Sequence, residues 1–345
     1  MKIKKYILSW LLMFVSVAAF AGVGQWRTHF AYNSVQVIAN CPEEIYALAN
    51  GAIFSINKMT ENMTLYNNRS GLHGTNVCFL MYDEEREQLL IMYSDGKMDI
   101  QYNGTMHYIS DLYNKRMTSS KKCNNITIHG KFAYLSMDFG ILVFDLEKHE
   151  FKETYYIGEE ASEVQVTDVM FYGDSIYART KSKNYSACIY DNVVDYHFWK
   201  TCSTMPCPFD TKKGKEYTMM DGDLWKVAGA QGVYRKFVTG EEAYYLPDGP
   251  QVNTPYSMTF DRGRLYVVPG GRWANQNGTE GHVMIYENKK WLNITNAQIK
   301  GQIGKRALDF MNVAVDPDDS GHYFVTSYGT GVYEFRDDVL VKRYT

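Results

Sequence analysis

The residues best suited to binding chemistry stand in a glycine-flanked stretch, 270–278 (GGRWANQNG). Arg272 can pair with an anionic group, Trp273 can stack on a sugar face, and Asn275 can hydrogen-bond to hydroxyls. A loop of this kind on a rigid scaffold suits a sugar or a peptide. We therefore predict that Arg272, Trp273 and Asn275 bind a ligand. The alternative is that Trp273 fills a gap between neighbouring sheets.

A second stretch, 327–331 (SYGTG), places an aromatic residue beside two glycines. Glycine lets the backbone come close to a partner or to another part of the fold. We predict Tyr328 as a further ligand-binding residue.

Catalytic and metal-binding signatures are missing from the sequence. There is no GxSxG, HExxH, P-loop or GxGxxG motif, and the eight histidines never recur at metal-ligand spacing. The stretch 316–321 (DPDDSG) comes nearest to a calcium loop, but Ser327 stands where that loop needs a glutamate, so we interpret it as an acidic turn. We predict a non-enzymatic protein with no catalytic residue, no metal site and no cofactor.

The six cysteines show no CxxC pair and no regular framework. Cys202 and Cys207 are near enough in sequence to form a disulfide across a loop, if the protein is exported. Cys78 stands in an apolar strand and is interpreted as a small buried hydrophobe. Both the bridge and two free thiols remain open at positions 202 and 207.

The N-terminus has the features of a secretory signal peptide. Lysines at positions 2, 4 and 5 precede a short apolar run, and Ala19-Phe-Ala21 fits a cleavage site, so we predict a signal peptide over 1–21 and a mature chain from Gly22. The apolar run is too short for a comfortable membrane span, and no later segment reaches about 18 apolar residues. We expect an exported protein in the periplasm or at the outer membrane and cell surface, with no transmembrane span after cleavage.

The charge distribution argues against a nucleic-acid partner. The net charge is −3, and the basic runs are short, such as Lys121-Lys122 and Lys212-Lys213-Gly-Lys215. A nucleic-acid-binding surface needs a concentrated basic stripe. We expect these lysines to be solvated loop charges.

A strand motif that recurs through the chain indicates the sheets that position these residues. The motif is found at 45–49 (IYALA), 89–93 (LLIMY), 132–136 (FAYLS), 175–179 (SIYAR), 223–227 (DLWKV), 264–268 (RLYVV) and 322–326 (HYFVT). Units of about 40–50 residues with four strands each are typical of propeller blades. We predict an all-β protein, a seven-bladed β-propeller of four-stranded antiparallel blades.

The predicted propeller fills residues 22–345. The expected blades cover approximately 35–66, 76–109, 124–157, 164–200, 216–247, 257–295 and 310–345. Closure of the ring could rest on packing between the first and the last blade, or on the N-terminal stretch 25–30 adding a strand to the last blade.

Several stretches resemble a known family. They are 24–29 (GQWRTH), 92–99 (MYSDGKMD), the region 126–157, 270–273 (GGRW) and 322–331 (HYFVTSYGTG). Together they are similar to the N-terminal β-propeller of PorZ-like proteins, which belong to the attachment complex of the type IX secretion system of Bacteroidota. The propellers of two-component regulators resemble the chain more loosely.

The PorZ resemblance implies a non-enzymatic, exported propeller that helps to deliver secreted cargo to the cell surface. It implies a sortase-like transpeptidase among the partners and, further, binding of anionic lipopolysaccharide. Family members are longer, with a second propeller and a C-terminal sorting domain, so a fragment, a truncated gene and a one-propeller relative are all open.

Two function classes follow from these observations. The first is a binding and scaffolding component of the type IX attachment machinery at the outer membrane. The second is a periplasmic ligand-sensing propeller related to hybrid two-component regulators, which would need a membrane span and a kinase domain. An enzyme would require acids or histidines that converge from several blades, and the sequence indicates none.

Overall fold

The structure is a computed structural model that describes residues 27–206, 212, 214–271 and 277–345. Its strands form seven sheets, each of four antiparallel strands that pair in chain order. This confirms the predicted seven-bladed β-propeller. The signal peptide predicted over 1–21 lies outside the described residues and stays a prediction.

The blades are numbered in chain order, with four strands each. Blades one to three contain β1 (Val35–Asn40), β2 (Glu44–Ala49), β3 (Ala52–Asn57), β4 (Met63–Tyr66), β5 (Val77–Asp83), β6 (Gln88–Tyr93), β7 (Met98–Tyr102), β8 (Thr105–Ile109), β9 (Cys123–His129), β10 (Phe132–Met137), β11 (Gly140–Asp145) and β12 (Glu150–Tyr155). Blades four and five contain β13 (Val166–Tyr172), β14 (Ser175–Thr180), β15 (Asn184–Cys188), β16 (Lys200–Cys202), β17 (Tyr217–Met220), β18 (Asp223–Val227), β19 (Val233–Lys236) and β20 (Glu242–Tyr245). Blades six and seven contain β21 (Ser257–Asp261), β22 (Arg264–Val268), β23 (Val283–Glu287), β24 (Lys290–Ile294), β25 (Phe310–Val315), β26 (His322–Ser327), β27 (Gly331–Arg336) and β28 (Val339–Tyr344).

The recurring sequence motif forms the second strand of every blade, and in blades one and two both faces of that strand are buried. In β2, Ile45 and Ala47 pack into the core shared with blade five, whereas Tyr46 and Leu48 pack into the core shared with blade two. Successive side chains of a strand point to opposite faces, so a blade between two neighbours needs apolar residues at consecutive positions.

The hairpin turns follow from local sequence. Asn50 and Gly51 connect β2 to β3 with φ angles of 48° and 81°. Two positive φ angles match the twist of a tight hairpin, and asparagine and glycine tolerate them best. This turn therefore fixes the register between β2 and β3.

The described contacts join blade one to blade five. The backbone nitrogen of Val35 lies 3.2 Å from the oxygen of Gly229, and that of Ile38 lies 2.6 Å from the oxygen of Lys215. Trp225 of β18 is buried in the same core as blade one. We expected closure through the last blade, and these contacts instead involve the fifth. Lys215 is not a solvated loop charge as expected, because its side chain is only 19% exposed.

The described part of the N-terminal stretch does not add a strand to the last blade. Residues 27–34 contain no strand. Ala31 donates a backbone hydrogen bond to the side chain of Asn253 at 2.6 Å, and the ring of His29 lies 3.0 Å from the indole nitrogen of Trp291 on blade six. The stretch therefore connects blade one to the region of blades five and six as an irregular segment.

A helix, Asn296–Ile303, fills the long connection between blades six and seven. Thr295 and Gln298 form a capping box at its N-terminus, and Ile299 is buried. Within the described ranges, no helix is long and apolar enough to cross a membrane.

Candidate functional site

Arg272, Trp273 and Asn275, the residues that we predicted to bind a ligand, lie outside the described residues, so their roles stay predictions. Tyr328 is described, and its side chain is 55% exposed on the turn between β26 and β27. The structure shows how the two ends of the 270–278 stretch and the turn of Tyr328 are held.

Asp309, directly before β25, joins these two elements. Its carboxylate accepts hydrogen bonds from the backbone nitrogens of Gly278 at 3.1 Å and Thr279 at 2.7 Å. Its own backbone nitrogen donates to the oxygen of Thr279 at 2.8 Å, and its oxygen accepts from the nitrogen of Tyr328 at 2.9 Å. The carboxylate is buried, and the backbone has a φ of 53°, which aspartate tolerates better than most residues. One residue thus holds together the 278–279 end of the loop on blade six and the Tyr328 turn on blade seven.

The other side of the loop is held by its own glycine. Gly271 has a φ of 140°, and a Cβ atom there would lie 1.9 Å from Oδ1 of Asp309. Next to it, Gly270 donates a backbone hydrogen bond to Phe310 at 2.8 Å. Glycine is needed at position 271 because any side chain would meet the carboxylate.

Two isolated β-bridges continue this arrangement, between Gly270 and Phe310 and between Glu280 and Leu308. Arg306 pairs with Glu280 at 2.6 Å, although both side chains are more than half exposed. An exposed pair contributes little to stability. The bridges therefore hold both ends of the 270–278 stretch against the segment before β25. The ion pair adds one positive and one negative group beside them.

A buried histidine fixes the start of β23 to the connecting helix. The backbone nitrogen of Asn296 lies 3.1 Å from Nδ1 of His282. Burial lowers the pKa of His282, and the charge of Glu280 opposes that effect. A neutral imidazole is therefore favoured, which agrees with its role as an acceptor.

Hydrogen bonds hold the turn 327–331 to the neighbouring segments. The Ser327 hydroxyl donates to the oxygen of Leu308 at 2.6 Å, and the Tyr333 hydroxyl donates to the Thr330 hydroxyl at 3.0 Å. Arg343 donates from Nε to the oxygen of Thr330 at 2.7 Å. Tyr328 thus projects from a backbone that is held at several points.

Sequence reasoning missed Asp309, because its role depends on contacts with a loop about thirty residues earlier and a turn about twenty residues later. The available signal was an aspartate directly before an innermost strand, where a left-handed conformation and a free carboxylate suit a loop anchor. Nothing in the sequence specified which loops it would hold.

The arrangement holds the described ends of the 270–278 stretch and the exposed Tyr328 turn beside the start of β25. Among the residues that the structure describes, no group of three or more histidine, cysteine, aspartate or glutamate side chains could hold a metal ion. Cys202 ends β16, while Cys207 lies outside the described residues, so the disulfide between them stays a prediction.

Comparison with known proteins places these observations in a family context. The family model described as the N-terminal β-propeller domain of PorZ, of the type IX secretion system, matches residues 45–200. That range covers most of blades one to four. A search of curated proteins found no significant match.

Solved structures show the same fold. The PorZ structure from Porphyromonas gingivalis, described as an essential surface component of its type IX secretion system, is 22% identical, with a TM-score of 0.77. The match covers 93% of this chain and 53% of that chain, so this chain spans about half the length of that protein.

Two extracellular domains of hybrid two-component systems from B. thetaiotaomicron match more weakly. One is 13% identical with a TM-score of 0.36, covering 92% of this chain and 41% of that chain. The other is 10% identical with a TM-score of 0.38, covering 90% and 54%. The resemblance to the N-terminal β-propeller of PorZ that the sequence indicated is confirmed by the family match over residues 45–200 and by the shared propeller fold.

Proposed function

We propose that this protein is a non-enzymatic, exported component of the type IX secretion system, which binds and positions other proteins of the attachment machinery at the outer membrane. The observation that carries the proposal is the match of residues 45–200 to the PorZ N-terminal propeller. The propeller fold fits this role, because its rigid blades present loops at fixed positions.

The docking surface that we propose consists of Arg272, Trp273, Asn275 and Tyr328. Its support is the convergence of the loop ends and the Tyr328 turn on Asp309. Aromatic and arginine side chains contribute most to binding when they project from a fixed backbone. The partners proposed for this surface are a sortase-like transpeptidase and other attachment-complex proteins, with anionic lipopolysaccharide as a further partner.

The proposed location is the periplasm or the cell surface. It is supported by the signal-peptide features of residues 1–21 and by the relationship to PorZ. Fractionation of cells that express the full chain with a C-terminal tag tests this directly, since a cytoplasmic protein of unprocessed mass would contradict export.

The test of function is capture from outer-membrane extract with the tagged full chain. Mass spectrometry identifies captured proteins, and an immunoblot detects anionic lipopolysaccharide. We expect capture of the transpeptidase or its attachment partners. Capture of neither class would contradict docking and favour the ligand-sensing alternative.

Matched variants test which residues form the proposed docking surface. We expect Trp273→Ala and Tyr328→Ala to reduce capture while thermal stability stays close to that of the wild type. Tyr190→Ala is the control, because Tyr190 is 77% exposed on blade four, whereas Tyr328 lies on blade seven. A large loss of thermal stability in Trp273→Ala would show that this residue packs between blades.

A further inference from the structure

Two cysteines on neighbouring blades face the same interface. Cys78 lies on β5 of blade two, and Cys123 begins β9 of blade three. Both side chains pack in the hydrophobic core that blades one to three share. Both are free thiols in the structure, with Cys123 fully buried and Cys78 partly exposed. Cys78 is therefore not the fully buried hydrophobe that the sequence indicated, and it is the thiol that a solute can reach.

The register of the innermost strands explains why these two positions meet. In blades one to four, the pairing of the innermost strand skips one residue near its start, namely Gln36, Cys78, Asn124 and Thr167. A bulge of this kind redirects a side chain. On blade three, the redirected side chain of Asn124 donates to the oxygen of Val166 on blade four at 2.9 Å. By the same geometry, Cys78 points to Cys123, which corresponds to Val166.

The side chain of Cys123 points back to blade two. Cys123 pairs with Met137 on β10, and both side chains belong to the core shared with blade two. Burial raises the pKa of Cys78 to about 11, and a hydrogen bond from the backbone nitrogen of Cys123 to the Cys78 Sγ opposes that effect. Burial also raises the pKa of Cys123, and the neighbouring Cys78 adds to this rise. The two thiols therefore adjoin each other across the interface.

The present partners of the two thiols hold them only weakly. The Sγ of Cys78 donates to the oxygen of Met92 at 3.4 Å, and the Sγ of Cys123 donates to the oxygen of Asn125 at 3.2 Å. A thiol is a weak hydrogen-bond donor, so either side chain can leave its carbonyl at little cost.

Packing alone does not require a thiol at position 123. The corresponding residue before each skipped position is Val35 in blade one, Val77 in blade two and Val166 in blade four. Valine therefore fits this place in the fold. The chain has cysteine at both facing positions of the interface between blades two and three, whereas Asn124 faces Val166 at the next interface.

We propose that Cys78 and Cys123 form a disulfide that joins blades two and three in an oxidising environment. The Cys78 thiolate attacks one sulfur of a small disulfide, which forms a mixed disulfide and releases one thiolate. Cys123 loses its proton, and its Sγ attacks the Sγ of Cys78, which breaks the mixed disulfide and releases the second thiolate. The two cysteines lose two electrons and two protons, and the small disulfide is reduced to two thiols.

This inference goes beyond the docking role above, because it concerns a covalent modification inside the propeller. Its occurrence in cells rests on the proposed export, since disulfides persist in oxidising compartments. The test uses purified protein, so its failure is distinguishable from a failure of export.

The test is oxidation of the purified full chain with hydroxyethyl disulfide at about pH 8.5, where more of the Cys78 thiol is ionised than at neutrality. The remaining thiols are blocked with N-ethylmaleimide in urea. Trypsin then releases peptide 70–86, which contains Cys78, and peptide 123–131, which begins with Cys123. We expect a linked pair whose mass is the sum of the two peptides less two hydrogen atoms, and which reduction separates.

Two results would overturn the proposal. One is that both cysteines carry maleimide after oxidation of the folded protein. The other is that Cys78 keeps the hydroxyethyl group as a stable mixed disulfide in the wild type.

Variants test the roles of the two thiols. We expect Cys123→Val to keep the hydroxyethyl group on Cys78 and to yield no linked pair, because the second attack is lost. Cys188→Ser is the control, since Cys188 lies on β15 of blade four, and we expect the linked pair at the wild-type level. Loss of the linked pair in this control would contradict the assignment.

Discussion

Oδ1 of Asp309 lies 2.7 Å from the backbone nitrogen of Thr279, which joins the start of blade seven to the loop between β22 and β23. The second carboxylate oxygen accepts from Gly278, and the backbone oxygen accepts from Tyr328. The proposed docking surface therefore depends on a buried side chain that itself would not touch a partner.

Asp309→Asn should loosen this surface. Asparagine tolerates the positive φ of 53° but replaces one acceptor oxygen by a donor, so one hydrogen bond to the loop is lost. We expect a loss of about 1–3 kcal/mol in the free energy of unfolding, together with weaker partner capture. Guanidinium denaturation measures the first quantity. Asp318→Asn, on an exposed turn, is the control, and equal effects of the two changes would contradict the anchoring role.

Gly331→Ala should destabilise blade seven. Gly331 has a φ of 97°, and an added Cβ would lie 2.0 Å from the oxygen of Tyr344. We expect a loss of at least about 1–3 kcal/mol, because the backbone of β27 or β28 must move. Gly329→Ala is the matched control, since Gly329 has a φ of 95° and no atom within 4 Å of the added Cβ. Thermal unfolding compares them, and similar stabilities would show that the clash is relieved without cost.

Stability should fall as pH rises above neutrality because of His322. Its ring lies 2.9 Å from Asp316 and 3.0 Å from Glu334. The hydrogen bond that the His322 ring donates to Asp316, aided by the one to Glu334, raises the pKa of His322 despite burial. A raised pKa stabilises the fold fully below the unfolded value of about 6.5, and this contribution is lost as pH rises through the folded value.

The carboxylates of Asp316 and Glu334 contribute to stability with the opposite pH dependence. A backbone hydrogen bond from Asp318 and then the His322 ring lower the pKa of Asp316, while the Tyr344 hydroxyl and then His322 lower the pKa of Glu334. Their contribution is lost as pH falls through the lowered values. We expect His322→Gln to flatten the decline in melting temperature between about pH 6 and pH 9. An unchanged slope would show that other groups cause it.

Trp225→Ala should separate blade one from blade five. The indole is 1% exposed in the core that the two blades share, and the Arg235 guanidinium lies 4.6 Å from the centre of its ring. We expect a loss of about 3–5 kcal/mol, as for other buried aromatic residues. Hydrogen exchange should show a larger loss of protection in β1 than in β21–β24. Equal loss in both regions would contradict a local effect.

The blades were predictable because their signal is local. The strand motif represented by Tyr46 and Tyr266 shows the apolar pattern of a second strand with two buried faces, and Asn50-Gly51 specifies its turn. These features depend on neighbours in sequence, so periodicity and turn chemistry were sufficient to indicate seven four-stranded blades.

The cavity lined by Asn125, Asp168 and Lys215 was not predictable in the same way. Asn125, Asp168 and Lys215 stand in different parts of the chain and meet only because three innermost segments converge. Their positions depend on strand register, including the irregular pairing near the starts of β9 and β13, which the sequence pattern does not specify. Lys215 looked like part of a solvated basic run, and its burial follows from the contact of its backbone with Ile38.

Cargo attachment in the native host tests the proposed function most directly. The measurement is the fraction of type IX cargo joined to the cell surface, compared with the fraction released, after deletion of the gene. We predict that deletion shifts cargo from the attached to the released fraction. We also predict that the wild-type gene restores attachment and that a stably folded Arg272→Ala/Trp273→Ala/Asn275→Ala variant does not. Unchanged attachment in the deletion strain would contradict the account.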